Sequence, residues 1–368
     1  MVGEARGSAS HPWGLNRAGV GLSDATQAAT KPAGKRLVLV TGTGRSGTST
    51  MAGTLEALGM HIPGPVRPPD HANPRGFFES LWIVDFHNRL LDRARAHTMD
   101  GDPQTALRTR RSVNREVRQE LATFLQDATA EQDDLVVKDP RTVWFIPLWT
   151  RIAESLDMSV SFTTMLRHPA EAVGSRTVAW SVSDNPERVR SRQIANLAGW
   201  VNVSLLNERR TRGRNRAFVR YDDLLSDWRT TMAGVGERLT LPYSVDPADD
   251  TPHAVDEFVD PSLRRVRVRW DELDVPQPLS EIAERVWQAL QAFVEPRSGV
   301  AEARAQLNEL RIEYDAMYAD ARAIALDATR ASVESAVRRH ERQLTATMPE
   351  SASDRPAEVA DEPGITVP

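Results

Sequence analysis

Short apolar runs alternate with amphipathic segments along much of the chain. Four runs have the length and composition of buried strands, and segments with the 3.6-residue period of an α-helix follow them. The predicted strands are Leu37–Val40, Asp134–Lys138, Ser159–Leu166 and Ala217–Arg220. Strands that alternate with helices favour βαβ units. The pattern therefore predicts an α/β fold with a central, mostly parallel sheet and helices on both faces.

The amphipathic segments predict nine helices, of which the last differs from the others. The first eight are Gly47–Leu58, Leu81–Ala96, Ser112–Ala128, Val143–Leu156, Pro169–Trp180, Arg188–Glu208, Leu224–Leu239 and Ser280–Phe293. The ninth, Glu302–Glu341, is long and carries apolar residues at alternating spacings of three and four. Such a stripe fits either a helix packed on its own domain or a coiled coil that joins two copies as a homodimer.

Composition along the chain divides it into four parts. Residues 1–34 lack apolar periodicity and 346–368 are rich in Pro, Glu, Asp and Ala, so we expect two disordered tails. Between them, 35–295 form the predicted α/β domain and 296–345 a long helical extension. The domain contains a Pro- and Gly-rich loop, His61–Ser80, and long loops in compact domains are usually functional or disordered.

The turn after the first strand has the composition of an anion-binding loop. Gly42 and Gly47 have the spacing of a Walker A motif, but Thr48 stands where that motif requires lysine, and Arg45 supplies a cation inside the turn. Glycines let backbone N–H groups approach an anion, and the dipole of the following helix favours negative charge. The sequence thus predicts a phosphate- or sulfate-binding loop and argues against an ordinary ATPase or GTPase; a turn that binds nothing is the alternative.

A second cation stands at the end of a later strand. Arg167 follows the third predicted strand, Pro169 opens the next helix, and Ser175 lies two turns along it. The carboxyl ends of parallel strands meet at one edge of a sheet, where ligands bind in open α/β folds. Arg45 and Arg167 at this edge suggest a ligand with two separated anionic groups.

Together these segments resemble the two nucleotide signatures of the sulfotransferases that use 3′-phosphoadenosine 5′-phosphosulfate (PAPS), bacterial members in particular. The resemblance covers roughly Leu37–Leu239 and implies a P-loop-like three-layer α/β/α fold, PAPS as cosubstrate and no metal. It implies that Arg167 and Ser175 hold the 3′-phosphate. It also implies that the phosphosulfate is held by Gly44, Arg45, Ser46, Gly47, Thr48 and Ser49.

The resemblance also implies catalytic roles for three residues. Arg45 would contact the phosphate of the leaving group, and Lys138, at a strand end, would support the sulfuryl group. Some relatives use a glutamate downstream of the phosphosulfate loop as general base, and Glu79 is the best match here. The alternatives for the base are Asp139, His61 and His71.

One further arginine and one basic run can each be interpreted in more than one way. Arg141 could bind the acceptor or the cofactor, or it could form an ion pair at the start of a helix. In the run Leu263–Arg269, the resemblance implies that Arg264 and Arg265 could close over the nucleotide phosphates, whereas the residues alone also fit an exposed, salt-bridged strand.

Composition excludes several other functions. A net charge of −5 gives no general attraction for nucleic acid, and with 0 Cys there is no disulfide, thiolate metal site or cysteine nucleophile. The start has no apolar leader and no run has the length of a membrane span, so we expect a cytoplasmic protein.

Taken together, the motifs and the resemblance predict transfer of the PAPS sulfuryl group to a hydroxyl or amine of a carbohydrate, lipid or small molecule. An ATP-dependent small-molecule kinase and a non-catalytic scaffold that uses the C-terminal helix are the alternatives.

Overall fold

Four parallel strands form the centre of the molecule, confirming the predicted sheet. The computed structural model describes residues 34–71, 73–179, 185–264, 266–295 and 299–347. The strands lie in the order β2-β1-β3-β4, and each neighbouring pair is parallel. Their bounds are β1 (Arg36–Gly42), β2 (Asp134–Lys138), β3 (Ser159–Leu166) and β4 (Asn215–Arg220).

Twelve α-helices are described, with three short 3₁₀ helices at Pro140–Phe145, Pro261–Leu263 and Trp270–Glu272. The α-helices are α1 (Thr48–Ala57), α2 (Leu81–Ala94), α3 (Thr105–Arg111), α4 (Arg115–Glu131), α5 (Ile146–Ser155), α6 (Pro169–Ala179), α7 (Pro186–Arg210), α8 (Tyr221–Ser226), α9 (Trp228–Leu239), α10 (Ala254–Phe258), α11 (Gln277–Gln291) and α12 (Val300–Thr347).

Several helix boundaries differ from those predicted. The helix predicted from Ser112 begins at Arg115, because the Asn114 side chain accepts a hydrogen bond from the Val117 N–H (3.0 Å) and caps the helix there. The helix predicted from Val143 is preceded by a 3₁₀ helix and starts at Ile146. Trp180 and almost all of the two predicted tails lie outside the described residues.

Both faces of the sheet are covered, which gives the predicted three-layer arrangement. Side chains alternate along β1, so that Leu37 and Leu39 join one core cluster while Val38 and Val40 join the other. Helices α2, α4, α5, α7, α11 and the start of α12 contribute to the first cluster. Helices α1, α8, α9 and α10 contribute to the second. An all-parallel sheet is normally buried in this way.

Helix α12 is 48 residues long, and only its first part packs on the domain. Leu307, Leu310 and Tyr314 are buried in the first core cluster. From Ala319 to Gln343 every residue except Ser335 is exposed. The apolar stripe predicted from the sequence is thus divided between a packed part and an exposed part. Among the described helices, none is both long and apolar enough to cross a membrane.

The strand order places a crevice beside β1. From β1 the chain moves to β2 on one side of the sheet, and then to β3 on the other side. In open α/β sheets, ligands bind at such a switch point, outside the carboxyl ends of the strands. The turns that follow β1, β2 and β3 all reach this edge.

Candidate active site

The glycine-rich turn between β1 and α1 has a geometry that only these residue types allow. Gly47 has φ 87°, and a Cβ there would lie 2.2 Å from the ring of Tyr221. Gly42 has φ 131°, and its Cβ would lie 2.7 Å from the carbonyl oxygen of Met165 on β3. Both glycines are therefore required by the close approach of neighbouring groups as well as by the backbone.

A cleft of about 230 Å³ opens over this turn at the carboxyl edge of the sheet. Seven cationic side chains line it: Arg45, Arg67, Arg75, Lys138, Arg141, Arg167 and Arg176. Glu79 is the one carboxylate among its described lining residues. The whole chain has a net charge of −5, so positive charge is concentrated in this cleft. Such a concentration attracts a ligand that carries several negative charges.

Arg45 and Arg167, which the sequence placed at two strand ends, line the same cleft and are in contact. The Arg45 Nε donates a hydrogen bond to the Ser175 hydroxyl (3.1 Å). The Arg167 Nη1 donates to the backbone carbonyl of Arg45 (3.1 Å). The structure thus brings together all three residues that the motifs paired, on the β3 side of the turn.

Arg167 is buried and braced by three protein groups. In addition to its hydrogen bond to the Arg45 carbonyl, Arg167 donates from Nε to the Glu171 carboxylate (3.1 Å) and from Nη2 to the carbonyl of Val266 (2.7 Å). Burial raises the pKa of Glu171, but hydrogen bonds from Arg264 and Arg167 outweigh this and hold the pKa below its usual value. A guanidinium has five N–H donors, so at most two remain to bind a ligand.

Arg176 is a cleft residue that the sequence reading missed. Its Nε donates to the Asn196 side chain (2.8 Å). Burial lowers the pKa of the Arg176 guanidinium, and the nearby charge of Arg45 lowers it further. Two cations held this close together favour an anion beside them. The one signal in the sequence was its position directly after Ser175.

Glu79 and Lys138 form a buried ion pair in the cleft wall. The Lys138 Nζ lies 2.6 Å from Glu79 Oε1, and both side chains are 4% exposed. The Nζ also donates to the carbonyl of Phe77 (3.1 Å), and Arg67 lies 3.9 Å from the second carboxylate oxygen of Glu79. The residues expected to act as base and charge stabiliser are thus in direct contact.

The other candidate bases lie away from the cleft lining. Asp139 is fully buried behind it, and its carboxylate is engaged by neighbouring side chains. His61 pairs with Leu135 near the amino-terminal end of β2, the opposite end from Lys138. His71 is exposed and is not among the residues that line the cleft.

The loop His61–Ser80 is fastened to the first turn of α1. The Asn73 side-chain amide donates to the Ser49 hydroxyl (3.1 Å) and to the carbonyl of Gly76 (2.6 Å). The Ser49 hydroxyl in turn donates to the carbonyl of Phe77 (3.3 Å). This loop therefore forms one wall of the cleft, and its end positions Glu79.

The basic run Leu263–Arg269 packs beside α6. Arg264 is paired with Glu171 and with Asp222 (3.0 Å), so its guanidinium is occupied by carboxylates. Arg265 lies outside the described residues. Of this run, Leu263 lines the cleft. The described residues contain no group of three or more His, Asp or Glu side chains that could hold a metal ion.

A parallel three-layer sandwich with a glycine-rich anion loop after its first strand belongs to the P-loop-like class of α/β folds. Comparison with models of protein families identifies the family within this class of folds. The sequence model of the sulfotransferase family matches residues 38–245, more than half of the chain. The chain therefore belongs to the sulfotransferase family, whose members are transferases.

Solved structures similar to this one are also sulfotransferases. The sulfotransferase domain of the Synechococcus PCC 7002 olefin synthase has 19% identity, covers 71% of this chain and 97% of its own, and gives a TM-score of 0.40. The sulfotransferase domain from the curacin biosynthetic pathway has 15% identity, with 70% and 98% coverage and a TM-score of 0.39. A sulfotransferase from Mycobacterium tuberculosis H37Rv has 16% identity, 61% and 74% coverage and a TM-score of 0.33. No curated protein sequence matches the chain.

Proposed function

We propose that the protein transfers the sulfuryl group of PAPS to a hydroxyl or amine of a carbohydrate, lipid or small-molecule acceptor. The observation that carries the proposal is the cleft lined by seven cations, centred on the glycine-rich turn at the switch point of the sheet. PAPS carries negative charge at both its 5′-phosphosulfate and its 3′-phosphate, and thus matches cations spread over several strand ends.

The residues present fit the donor. Residues 44–49 would bind the phosphosulfate through backbone N–H groups, hydroxyls and Arg45, at the N-terminus of α1. On the β3 side, Arg167 and Ser175 would bind the 3′-phosphate, and Arg176 would add a third group there. These three residues and Arg45 form one connected cluster, which supports a single nucleotide spanning the turns after β1 and β3.

The contacts also support a division of catalytic roles. When bound, PAPS supplies the sulfuryl group, whose bond to the 5′-phosphate oxygen breaks as the acceptor atom bonds to sulfur. Arg45 would stabilise the charge left on the phosphate, and Lys138 the charge on the sulfuryl oxygens. Glu79, 2.6 Å from the Lys138 ammonium, would take the proton from the acceptor.

Calorimetric titration with the product nucleotide tests the donor assignment. We expect 3′-phosphoadenosine 5′-phosphate (PAP) to bind the full chain and ATP with magnesium to bind far more weakly. Arg167→Ala should weaken PAP binding by about 2–5 kcal/mol, because a buried phosphate loses its charged partner. Arg118→Ala, at an exposed position of α4, is the control.

The outcomes separate the alternatives. Unchanged PAP affinity in Arg167→Ala contradicts the role of that residue. Tight binding of ATP with magnesium, without binding of PAP, contradicts the donor and favours a kinase. The acceptor can then be identified by incubating the protein with sulfur-labelled PAPS and a cell extract and determining which molecule becomes labelled.

A further inference from the structure

The cations of the cleft stand on both sides of the β1 turn. Arg167 and Arg176 follow β3, whereas Lys138 and Arg141 follow β2. Neighbouring strands are about 4.8 Å apart, so the ends of β2 and β3 are separated by about 10 Å, with the turn after β1 between them. A nucleotide that extends from the β1 turn toward β3 leaves the β2 side for its sulfuryl group and for the acceptor.

Arg141 lines the β2 side of the cleft and is only partly engaged. Its Nη1 donates to Asp139 Oδ2 and its backbone N–H to Asp139 Oδ1, both at 2.7 Å. Its Nε is buried and has no hydrogen-bond partner among the described residues. The Arg141 side chain keeps 14% of its surface exposed and lines the cleft, so an oxygen bound beside the exposed part of this guanidinium would gain a charge-assisted hydrogen bond.

A buried chain of polar contacts holds Asp139. The Trp149 indole N–H donates to His87 Nε2 (2.9 Å), which leaves the proton of the neutral ring on Nδ1. That Nδ1 lies 3.6 Å from Asp139 Oδ2, and both side chains are fully buried. The chain Trp149–His87–Asp139 therefore ends on Arg141, and it connects the hydrophobic core to the cleft wall.

The segment that carries Arg141 is also braced from its other side. It forms the 3₁₀ helix Pro140–Phe145. The indole N–H of Trp144 donates to the carbonyl of Thr98 (3.0 Å), and the half-buried Arg210 donates to the carbonyl of Val143 (2.7 Å). A functional side chain supported on a rigid element in this way is held in one orientation.

We propose that Arg141 binds an oxygen of the transferred sulfuryl group, and that Asp139, held by His87 and Trp149, is the positioning residue that directs it. The inference rests on the proposed function, since it requires PAPS as donor. Arg141 would be a second cation on that group beside Lys138, reached from the same strand end. Asp139 then acts through Arg141 and does not itself touch the reacting atoms.

The test compares two nucleotides that differ by the sulfuryl group alone. PAPS and PAP are titrated calorimetrically into the full chain and into Arg141→Gln. We expect the variant to lose about 10- to 100-fold in PAPS affinity, the contribution of one charge-assisted hydrogen bond, while PAP affinity changes less than about twofold. Arg151→Gln, an exposed arginine of α5, is the matched control and should change neither affinity.

Two further variants separate positioning from folding. Asp139→Asn keeps an acceptor for the Arg141 backbone but removes the charge, so it should reduce the preference for PAPS over PAP by several-fold. Arg141→Lys keeps the charge without the planar fork and should recover part of that preference. A purely structural role would instead weaken PAPS and PAP binding by the same factor in both variants, and Arg141→Lys would not recover the preference for PAPS.

The binding results test the assignment of Arg141, the positioning role of Asp139 and the proposed function separately. Equal losses of PAPS and PAP affinity in Arg141→Gln, or no loss of either, overturn the assignment of Arg141. If Asp139→Asn is folded and still prefers PAPS over PAP as strongly as the unaltered protein does, the positioning role of Asp139 is overturned. Failure of the unaltered protein to bind PAP and PAPS overturns the proposed function, and this inference with it.

Discussion

The buried pair of Glu79 and Lys138 gives the sharpest prediction for a single residue. Glu79→Gln keeps the shape of the side chain but cannot accept a proton, so we expect the rate of sulfuryl transfer to fall about 10²–10⁴-fold. PAP binding should stay within a few-fold, because the proposed nucleotide contacts lie on the β1 and β3 side. The measurement is transfer from sulfur-labelled PAPS, with calorimetry for PAP.

A carboxylate outside the cleft provides the control for this substitution. Glu120 is paired with Arg89 on the surface, and Glu120→Gln should leave the transfer rate unchanged. A rate within tenfold of the unaltered protein in Glu79→Gln would assign the base to another group. Since Lys138 remains buried in this variant, urea unfolding should also show a loss of about 1–3 kcal/mol in stability.

Asp139 makes stability depend on acid pH. Burial raises its pKa, but the nearby His87 ring, together with the charge and the backbone N–H of Arg141, outweighs this and lowers the pKa to about 2. A depressed pKa stabilises the fold above the unfolded value of 3.8, and this stabilisation is lost as pH falls toward 2. Urea unfolding should show Asp139→Asn less stable than the unaltered protein at pH 6.

The difference between these two proteins should become smaller between pH 4 and pH 2.5, because protonation makes the native aspartate resemble the amide. A difference that stays constant over this range would show that the charge of Asp139 contributes nothing to folding. The exposed Asp85→Asn on α2 is a suitable control.

Residues in local motifs could be predicted from the sequence, whereas their long-range partners could not. Arg45, Arg167 and Ser175 were found because glycine spacing and strand ends mark them. No motif marks Arg176 in the sequence, and this side chain lines the cleft because of the way α6 packs on the domain. The contact of His87 with Asp139 joins two elements distant in sequence, and hydrophobic periodicity contains no information about such a pair.

At the scale of one element, the prediction concerns the turn that starts α1. Gly47→Ala places a Cβ 2.2 Å from the Tyr221 ring at φ 87°, so we expect a loss of about 1–3 kcal/mol in stability and weaker PAP binding. Gly234→Ala in α9 is the matched control, since nothing lies within 4 Å of its Cβ. There, higher helix propensity should stabilise the protein by about 0.5–1 kcal/mol.

Urea unfolding and PAP calorimetry measure both substitutions. Equal effects of the two would mean that the Gly47 turn tolerates a side chain, and the close packing of Tyr221 on the loop would then have no role in forming the anion site. A loss confined to Gly47→Ala supports the turn as a rigid anion-binding element.

Among the elements, the strands were predicted best because buried apolar runs are read directly. Helix α3 was missed, since Thr105–Arg111 is polar and short and carries no apolar stripe. The 3₁₀ helix at Pro140–Phe145 was read as part of a loop and an α-helix. Its start is set by the Asp139 cap and Pro140, and the apolar residues after it fit either helix type.

For the whole molecule, the alternation of strands and helices was sufficient to predict the three layers, but not what α12 contacts. Its first part is fixed by burial of Leu307 and Tyr314 against the domain. Its later part exposes Ile324 and Val333, at 74% and 56%. A period of three and four residues looks the same in both parts, so the sequence could not separate intramolecular packing from self-association.

We expect the exposed part of α12 to join two copies of the chain, because exposed apolar residues on a long helix gain from burial against a second helix. Light scattering should give twice the monomer mass for the full chain and the monomer mass for a chain ending at Tyr318.

Thermal stability of the domain should be nearly unchanged by the truncation, whereas Leu307→Ala should cost about 2–5 kcal/mol. Ile324→Ala, exposed and beyond the packed part, should weaken the dimer without that cost. Monomer mass for the full chain at micromolar concentration would contradict the dimer, and an unfolded truncation would show that the exposed part supports the domain.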